Sequence, residues 1–306
     1  MEKMKAFSSQ SLLSVYDADL QRLSARIGKD RARSTLIARQ QGRRYVALYL
    51  KEKMKVTDIS LNTLQPQFIH DFSVWLSAER RLRGGTVWLA CQQLKGVVNR
   101  AHQRGLINRN PFYSFRIAKR IRPREYLTEE EIIKLKAHEF KKSYLNFARD
   151  IFLFACFTGL AFIDIKELTW DHIMEINGAK WIVSKRHKTH VPFQMKLLPV
   201  AQEIILRNGI TDHVYVFGNL QYRTLCKQIT KVMIEMNFGK RITLHCARHS
   251  FAILALNKGM PMESVSRIMG HTNITTTQIY AKITLQKLDR DISAFAQKLI
   301  DHEINK

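Results

Sequence analysis

Six residues, Phe251 to Leu256 (FAILAL), leave this chain little choice about what it can fold into. A block this apolar must be buried, and its flanks set the form in which it is buried. Thr243 can cap a helix just before it and Gly259 can end one just after it. His245 and Arg248 are three positions apart, so on that helix they share a face at its N-terminal turn. An imidazole and a guanidinium there suit an anion, because the first turn also offers unpaired N–H groups. Further on, Met269-Gly270-His271 reads as a tight stop followed by a polar ring. Tyr280 comes nine residues after His271, on a segment rich in threonine. Each piece has a blander reading. A tyrosine on a helix usually packs. His245 and His249 have the spacing of a zinc-protease pair, but no Glu follows the first His, and Cys246 falls on a different helical face from His249. No metal site is therefore expected.

The ordered set HxxR, then GH, then Tyr, with the spacing of Arg248, His271 and Tyr280, resembles the C-terminal signature of the tyrosine recombinases, the phage integrase family. That resemblance implies that His245, Arg248 and His271 grip a scissile DNA phosphate. Tyr280 would attack phosphorus and become joined to a DNA 3′ end. The chemistry needs an aimed nucleophile, neutralisation of the nonbridging oxygens and a proton for the leaving 5′-oxygen. It requires no cofactor. A phenol ordinarily titrates near 10, so Tyr280 depends on the cations around it. Lys188, in the basic run SKRHKTH, matches the place of the family's general-acid lysine; otherwise it is one more phosphate contact beside Lys185, Arg186 and His187. One departure stands out. The family's first arginine follows a Thr-Gly-Leu turn, and here Thr158-Gly159-Leu160 is followed by Ala161. Asp164 matches the family's acidic position and can orient a cation. Arg186, two before Lys188, is the expected substitute for the missing guanidinium, with a mere flanking-phosphate contact as the alternative. If both residues lie on one strand, they share a face. Arg149 and Lys166 are weaker candidates.

Charge points the same way. Fifty Lys and Arg against 26 Asp and Glu give a formal net charge of +24, which calls for a polyanionic partner. No apolar run is long enough for a bilayer, and residues 1–10 lack a signal-peptide core, so DNA in the cytoplasm rather than a membrane is the expected partner. Four scattered cysteines without a CxxC read as reduced thiols.

The expected fold is mainly α. Residues 1–114 read as a bundle of four amphipathic helices, resembling the family's SAM-like core-binding domain. The expected helices are one over Leu12 to Ile27, one capped by Ser34, one opened by Thr63 and broken at Gly84-Gly85, and one from Thr86 to Gly105. Arg39 and Arg43 on the second are expected to face DNA rather than solvent. Residues 115–125 read as a basic linker, with Arg116, Lys119, Arg120, Arg122 and Arg124 crossing a phosphate backbone. Residues 126–306 are expected to form the catalytic domain. It begins at the capping box Thr128 to Glu131, and a central apolar helix runs over Leu145 to Phe157. Short strands are expected at Trp181 to Val183 and Val191 to Leu198, making a small antiparallel sheet, and further helices at 199–207 and 222–238. The terminal helix, residues 285–300, carries an apolar stripe; the resemblance implies that it docks on a neighbouring protomer.

These readings favour a site-specific DNA recombinase, with integration or excision of a mobile element as the leading role. DNA inversion and chromosome-dimer resolution use the same chemistry. A DNA-binding protein that has lost catalysis, suggested by Ala161, is the second class, and a metal-dependent hydrolase a remote third. The resemblance implies a tetrameric synapse on duplex DNA, held in a two-domain clamp, with accessory DNA-bending proteins as further partners.

Overall fold

The computed structural model describes residues 10–118, 125–187, 190–280, 289, 291–297 and 300. The chain divides between residues 122 and 123 into two compact units. In the first, α1 (Leu12–Ser24), α2 (Arg33–Tyr49), α3 (Pro66–Ala78) and α4 (Gly84–Gln103) enclose one core. The inward stripe of α1 supplies Leu12, Leu13, Tyr16 and Leu23. Trp75, Phe72, Tyr49 and Phe68 form an aromatic cluster between α2 and α3, with ring centroids 5.3–6.2 Å apart. Each such fully buried side chain contributes about 1.5–3 kcal/mol. Gly42, in the middle of α2, is where the helix meets its neighbours most closely. A Cβ there would lie 2.1 Å from Gln93 Oε1 and 2.8 Å from the Tyr16 hydroxyl.

Several boundaries differ from the sequence reading. Ser34 lies inside the first turn of α2, whose cap position is Ala32. The third helix starts not at Thr63, which sits in a 3-10 turn, but at Pro66, where a missing N–H costs nothing. Gly84 and Gly85 do not mark the break after α3; they are the first residues of α4, and the chain turns earlier, at Arg81 with φ +50°.

The second unit is built around α6 (Ser143–Thr158), which buries Leu145, Ile151, Phe152, Phe154 and Cys156 among others. Against it pack α5 (Glu129–Ala137), α8 (Pro199–Asn208), α9 (Tyr222–Met236) and α10 (Leu244–Asn257). The Thr128 hydroxyl accepts from the Glu131 N–H, and the Glu131 carboxylate accepts from the Thr128 N–H, so α5 begins with a complete capping box. The sheet is antiparallel with three strands in sequence order: β1 (Ile173–Ile176), β2 (Ala179–Lys185) and β3 (Pro192–Lys196). The four-residue β1 was not foreseen; it has no fully buried residue and hence no apolar alternation to read. The short helices α7 (Phe162–Lys166), α11 (Met262–Ile268) and α12 (Thr275–Gln278) complete the unit. Residues 291–297 are helical. No helix among the described residues is long and apolar enough to cross a membrane.

Candidate active site

The site begins with a glycine. Gly159 ends α6 in the left-handed conformation, φ +65°, and a Cβ there would sit 2.6 Å from the Phe251 ring. The end of α6 therefore approaches α10 as closely as backbone allows. That approach delivers the Gly159 carbonyl to Arg248, whose Nη1 donates to it at 2.6 Å. Arg248 Nη2 donates to the Met269 carbonyl just past the end of α11. The fork is thus fixed at two points, and the residue is 9 % exposed. Burial, and then the charge of Arg186, push its pKa down to about 10, offset in part by Asp164 and Tyr280. It remains a cation at neutral pH.

Arg186 lies beside it. It belongs to the basic run SKRHKTH, yet it is only 4 % exposed. The same-strand argument does not apply, because β2 ends at Lys185 and Lys188 lies outside the described residues. Arg186 Nη1 donates to Asp164 Oδ2 at 2.7 Å. The same oxygen accepts from the Ala161 N–H at 3.3 Å. Arg186 Nη2 donates to the Ile268 carbonyl, next along the chain from the one that Arg248 uses. Two guanidinium groups therefore hang from consecutive carbonyls at the end of α11. Burial lowers the pKa of Arg186, with Asp164 opposing the shift. Asp164 also takes the His187 N–H at 3.1 Å, and His187 Nδ1 lies 2.6 Å from Glu167 Oε2, so α7 holds the start of the hairpin turn through two carboxylates.

His271 follows Gly270, which has φ +60°. Its Nδ1 lies 2.8 Å from the Thr277 hydroxyl, which orients the ring. Tyr280 packs on a small satellite core with Met195, Phe251, Val265 and Met269. Its ring centroid is 5.1 Å from that of His249, which is 4.7 Å from that of His245 at 90°. The turn of α10 is capped unusually: the Thr243 N–H meets Cys246 Sγ at 3.3 Å.

The structure thus brings Arg248, Arg186 and Asp164 together; the charges of both arginines are felt at His271, and Arg248 also interacts with Tyr280. A row of rings joins Tyr280 to the exposed His245. His249, 2 % exposed, was missed as a site residue. The usable signal was its position one turn after His245, which sequence reading weighed only as a metal ligand. Of the expected DNA contacts, Lys185 is exposed on β2. Arg116 Nη1 donates to the carbonyls of Tyr113 and Phe115. Arg39 pairs with Asp19 at 3.0 Å and Arg43 with Asp17 at 2.8 Å, so both tie α2 to α1. Lys119, Arg120, Arg122 and Arg124 lie outside the described residues. Arg149, a weaker candidate for the site, is committed to Asp150, Glu139 and the His138 carbonyl.

A phenol at the end of an imidazole row and two guanidinium groups on consecutive carbonyls make up this candidate site. Residues 125–287 match the phage integrase family, and residues 13–118 match the phage integrase SAM-like domain. The chain belongs to the phage integrase family and is a tyrosine-type site-specific recombinase. It is similar to a tyrosine recombinase of Pseudothermotoga lettingae, 25 % identical over 75 % of this chain and 82 % of that one. It is also similar to tyrosine recombinase XerD of Halalkalibacterium halodurans, 30 % identical over 45 % of this chain and 49 % of that one. Among solved structures, the Tn1549 transposon integrase in complex with a circular intermediate DNA superposes with a TM-score of 0.73 at 17 % identity, over 94 % of this chain and all of that one. A lambda integrase dimer bound to a COC′ core site superposes with a TM-score of 0.71 at 19 % identity, over 91 % and 79 %.

The His271 ring is held neutral. Burial, then Arg248 and Arg186, lower its pKa to about 4 from the usual 6.5. Between those values the unfolded chain binds a proton that the folded chain refuses, so this residue makes stability fall as pH drops through that window. His271→Gln should flatten that part of the thermal-midpoint profile between pH 6.5 and 4. An unchanged slope would show that the ring titrates normally.

Proposed function

We propose that the Tyr280 hydroxyl attacks phosphorus in DNA, forming a P–O bond to the tyrosine as the P–O5′ bond breaks. Arg248 and Arg186 neutralise the nonbridging oxygens, the neutral His271 ring donates a hydrogen bond to one of them, and Asp164 orients Arg186. His245 helps take the phenolic proton, with His249 packed between it and Tyr280. Lys188 protonates the leaving 5′-oxygen. Attack by a DNA 5′-hydroxyl on the phosphotyrosine then rejoins strands. The observation that carries this reading is the pair of guanidinium groups on the Ile268 and Met269 carbonyls, beside the His245, His249 and Tyr280 rings. Two cations placed this close, with one carboxylate between them, leave a net positive site suited to a phosphate anion.

Duplex DNA is the substrate, contacted by Lys185 and Arg116 and by the basic run at 119–124. Integration or excision of a mobile element is the biological role we favour, supported by the likeness to a transposon integrase whose structure holds a circular intermediate DNA. Ile292 and Phe295 on the terminal helical segment are 58 % and 62 % exposed. Apolar side chains left open in this way suit docking on a second protomer in a tetrameric synapse. The protein would work in the cytoplasm, on the nucleoid when bound to DNA, with DNA-bending proteins as accessory partners.

A nicked suicide duplex, which loses the short 5′-hydroxyl strand after attack, tests the chemistry. A protein–DNA adduct resistant to denaturant and formed in the presence of EDTA is expected. DNA binding without any adduct would instead support a catalytically inert DNA-binding protein. Affinity should fall by at least about tenfold between low and moderate salt as several phosphates release counterions. Footprinting on the source genome then separates the roles: sites at the ends of a mobile segment support integration, two inverted sites flanking a resident segment support inversion, and a single chromosomal site supports resolution.

A further inference from the structure

Arg186 is an awkward residue to bury. A desolvated guanidinium costs several kcal/mol unless its surroundings return that energy. Asp164 and the Ile268 carbonyl satisfy its two Nη groups, but Nε is buried and has no hydrogen-bond partner among the described residues. Two further features hold the group in place. The Phe193 ring, 3 % exposed on β3, lies against the guanidinium, with Cζ 3.9 Å from the ring centroid. Gly270 lies against the side-chain stem: a Cβ there would stand 2.5 Å from Arg186 Cγ and 2.7 Å from Nε. The stem thus occupies the space a side chain at 270 would need.

We propose that Phe193 and Gly270 are positioning residues for cleavage. Their face and gap hold the Arg186 fork against Asp164, beside Ala161. This rests on the reading of Arg186 as a phosphate-binding residue. Asp164 and the Ile268 carbonyl fix the two Nη nitrogens but leave the guanidinium free to tilt about the line between them. A ring below the plane removes that freedom, because a cation is drawn to the face of an aromatic ring. The hairpin arginine and the ring come from adjoining parts of one hairpin: Ser184 pairs with Phe193, and the Arg186 N–H donates to the Val191 carbonyl at 2.9 Å. The hairpin therefore carries both the cation and the platform that aims it.

The test separates electrostatics from packing. Fluorinated phenylalanines placed at 193 in the full chain weaken the negative ring face stepwise with little change in shape. Single-turnover cleavage at saturating protein should slow stepwise, by about tenfold at pentafluorophenylalanine, while affinity for intact DNA changes less than twofold. Phe193→Leu should slow cleavage at least as much, and Phe193→Tyr should recover most of that loss. A flat rate across the fluorinated series and in Phe193→Leu would overturn the proposal, since a ring that merely packs is indifferent to its quadrupole. Repeating the series in Arg186→Ala shows whether the ring acts through the arginine: no further slowing is expected, and a persistent fluorine effect also overturns the proposal. If Arg186→Ala alone cleaves at the normal rate, the reading of Arg186 itself has failed, whatever the series shows.

Discussion

Tyr280→Phe should bind DNA as the native protein does and form no covalent adduct. The substitution removes one oxygen and keeps the ring. That ring packs on the satellite core around Met195, Phe251 and Met269 and lies 5.1 Å from His249, so the fold should lose less than about 1 kcal/mol. The chemistry loses its nucleophile, and no neighbouring group takes over a covalent step. Adduct yield on the nicked duplex should drop below detection, with the dissociation constant within about twofold of native. Peptide mapping of the native adduct should place the nucleotide on Tyr280. An adduct on another residue, or one that survives the substitution, would end this assignment.

Arg186→Ala should slow single-turnover cleavage by about 10²–10³-fold, the effect of losing one preorganised donor from an oxyanion site. Here stability complicates the measurement. Removing one partner of a buried ion pair leaves Asp164 uncompensated and costs about 3–5 kcal/mol. The double substitution Arg186→Met with Asp164→Asn removes both charges and refills the space. It should melt close to native and still cleave slowly. Arg186→Lys should recover little, because a point charge cannot hold Asp164 and the Ile268 carbonyl as the planar fork does. Moving the arginine is the sharper check. Ala161 shares the Asp164 oxygen with Arg186, so Ala161→Arg in the Arg186→Ala background should restore part of the rate. Native cleavage by the stable double variant would show that Arg186 only supports the hairpin.

These two experiments address residues that were legible to different degrees. Arg248, His271 and Tyr280 stand in one stretch of 33 residues whose order and spacing carry meaning by themselves. The capping box at Thr128 and the apolar face of α6 were equally plain, since both depend on neighbours within one or two helical turns. Local rules operate over that range, so a single sequence is enough to read them.

What tertiary structure decided is where long-range partners meet. Arg186 looks like any member of a basic run, and only the fold brings it to Asp164, 22 residues earlier, and to Ile268, 82 residues later. A charge is buried only where the fold supplies its counter-groups, and composition cannot show them. His249 was legible as a histidine one turn from His245, yet its place beside Tyr280 depends on how α12 returns to α10. Arg39 and Arg43 read from the sequence as DNA-facing charge, and only the packing of α1 on α2 shows that they also pair with Asp19 and Asp17. The sequence by itself determined the helices, the family and the reactive residue types. The tertiary structure decided which cations are buried around the tyrosine, because burying a charge requires partners that only the folded chain brings into reach.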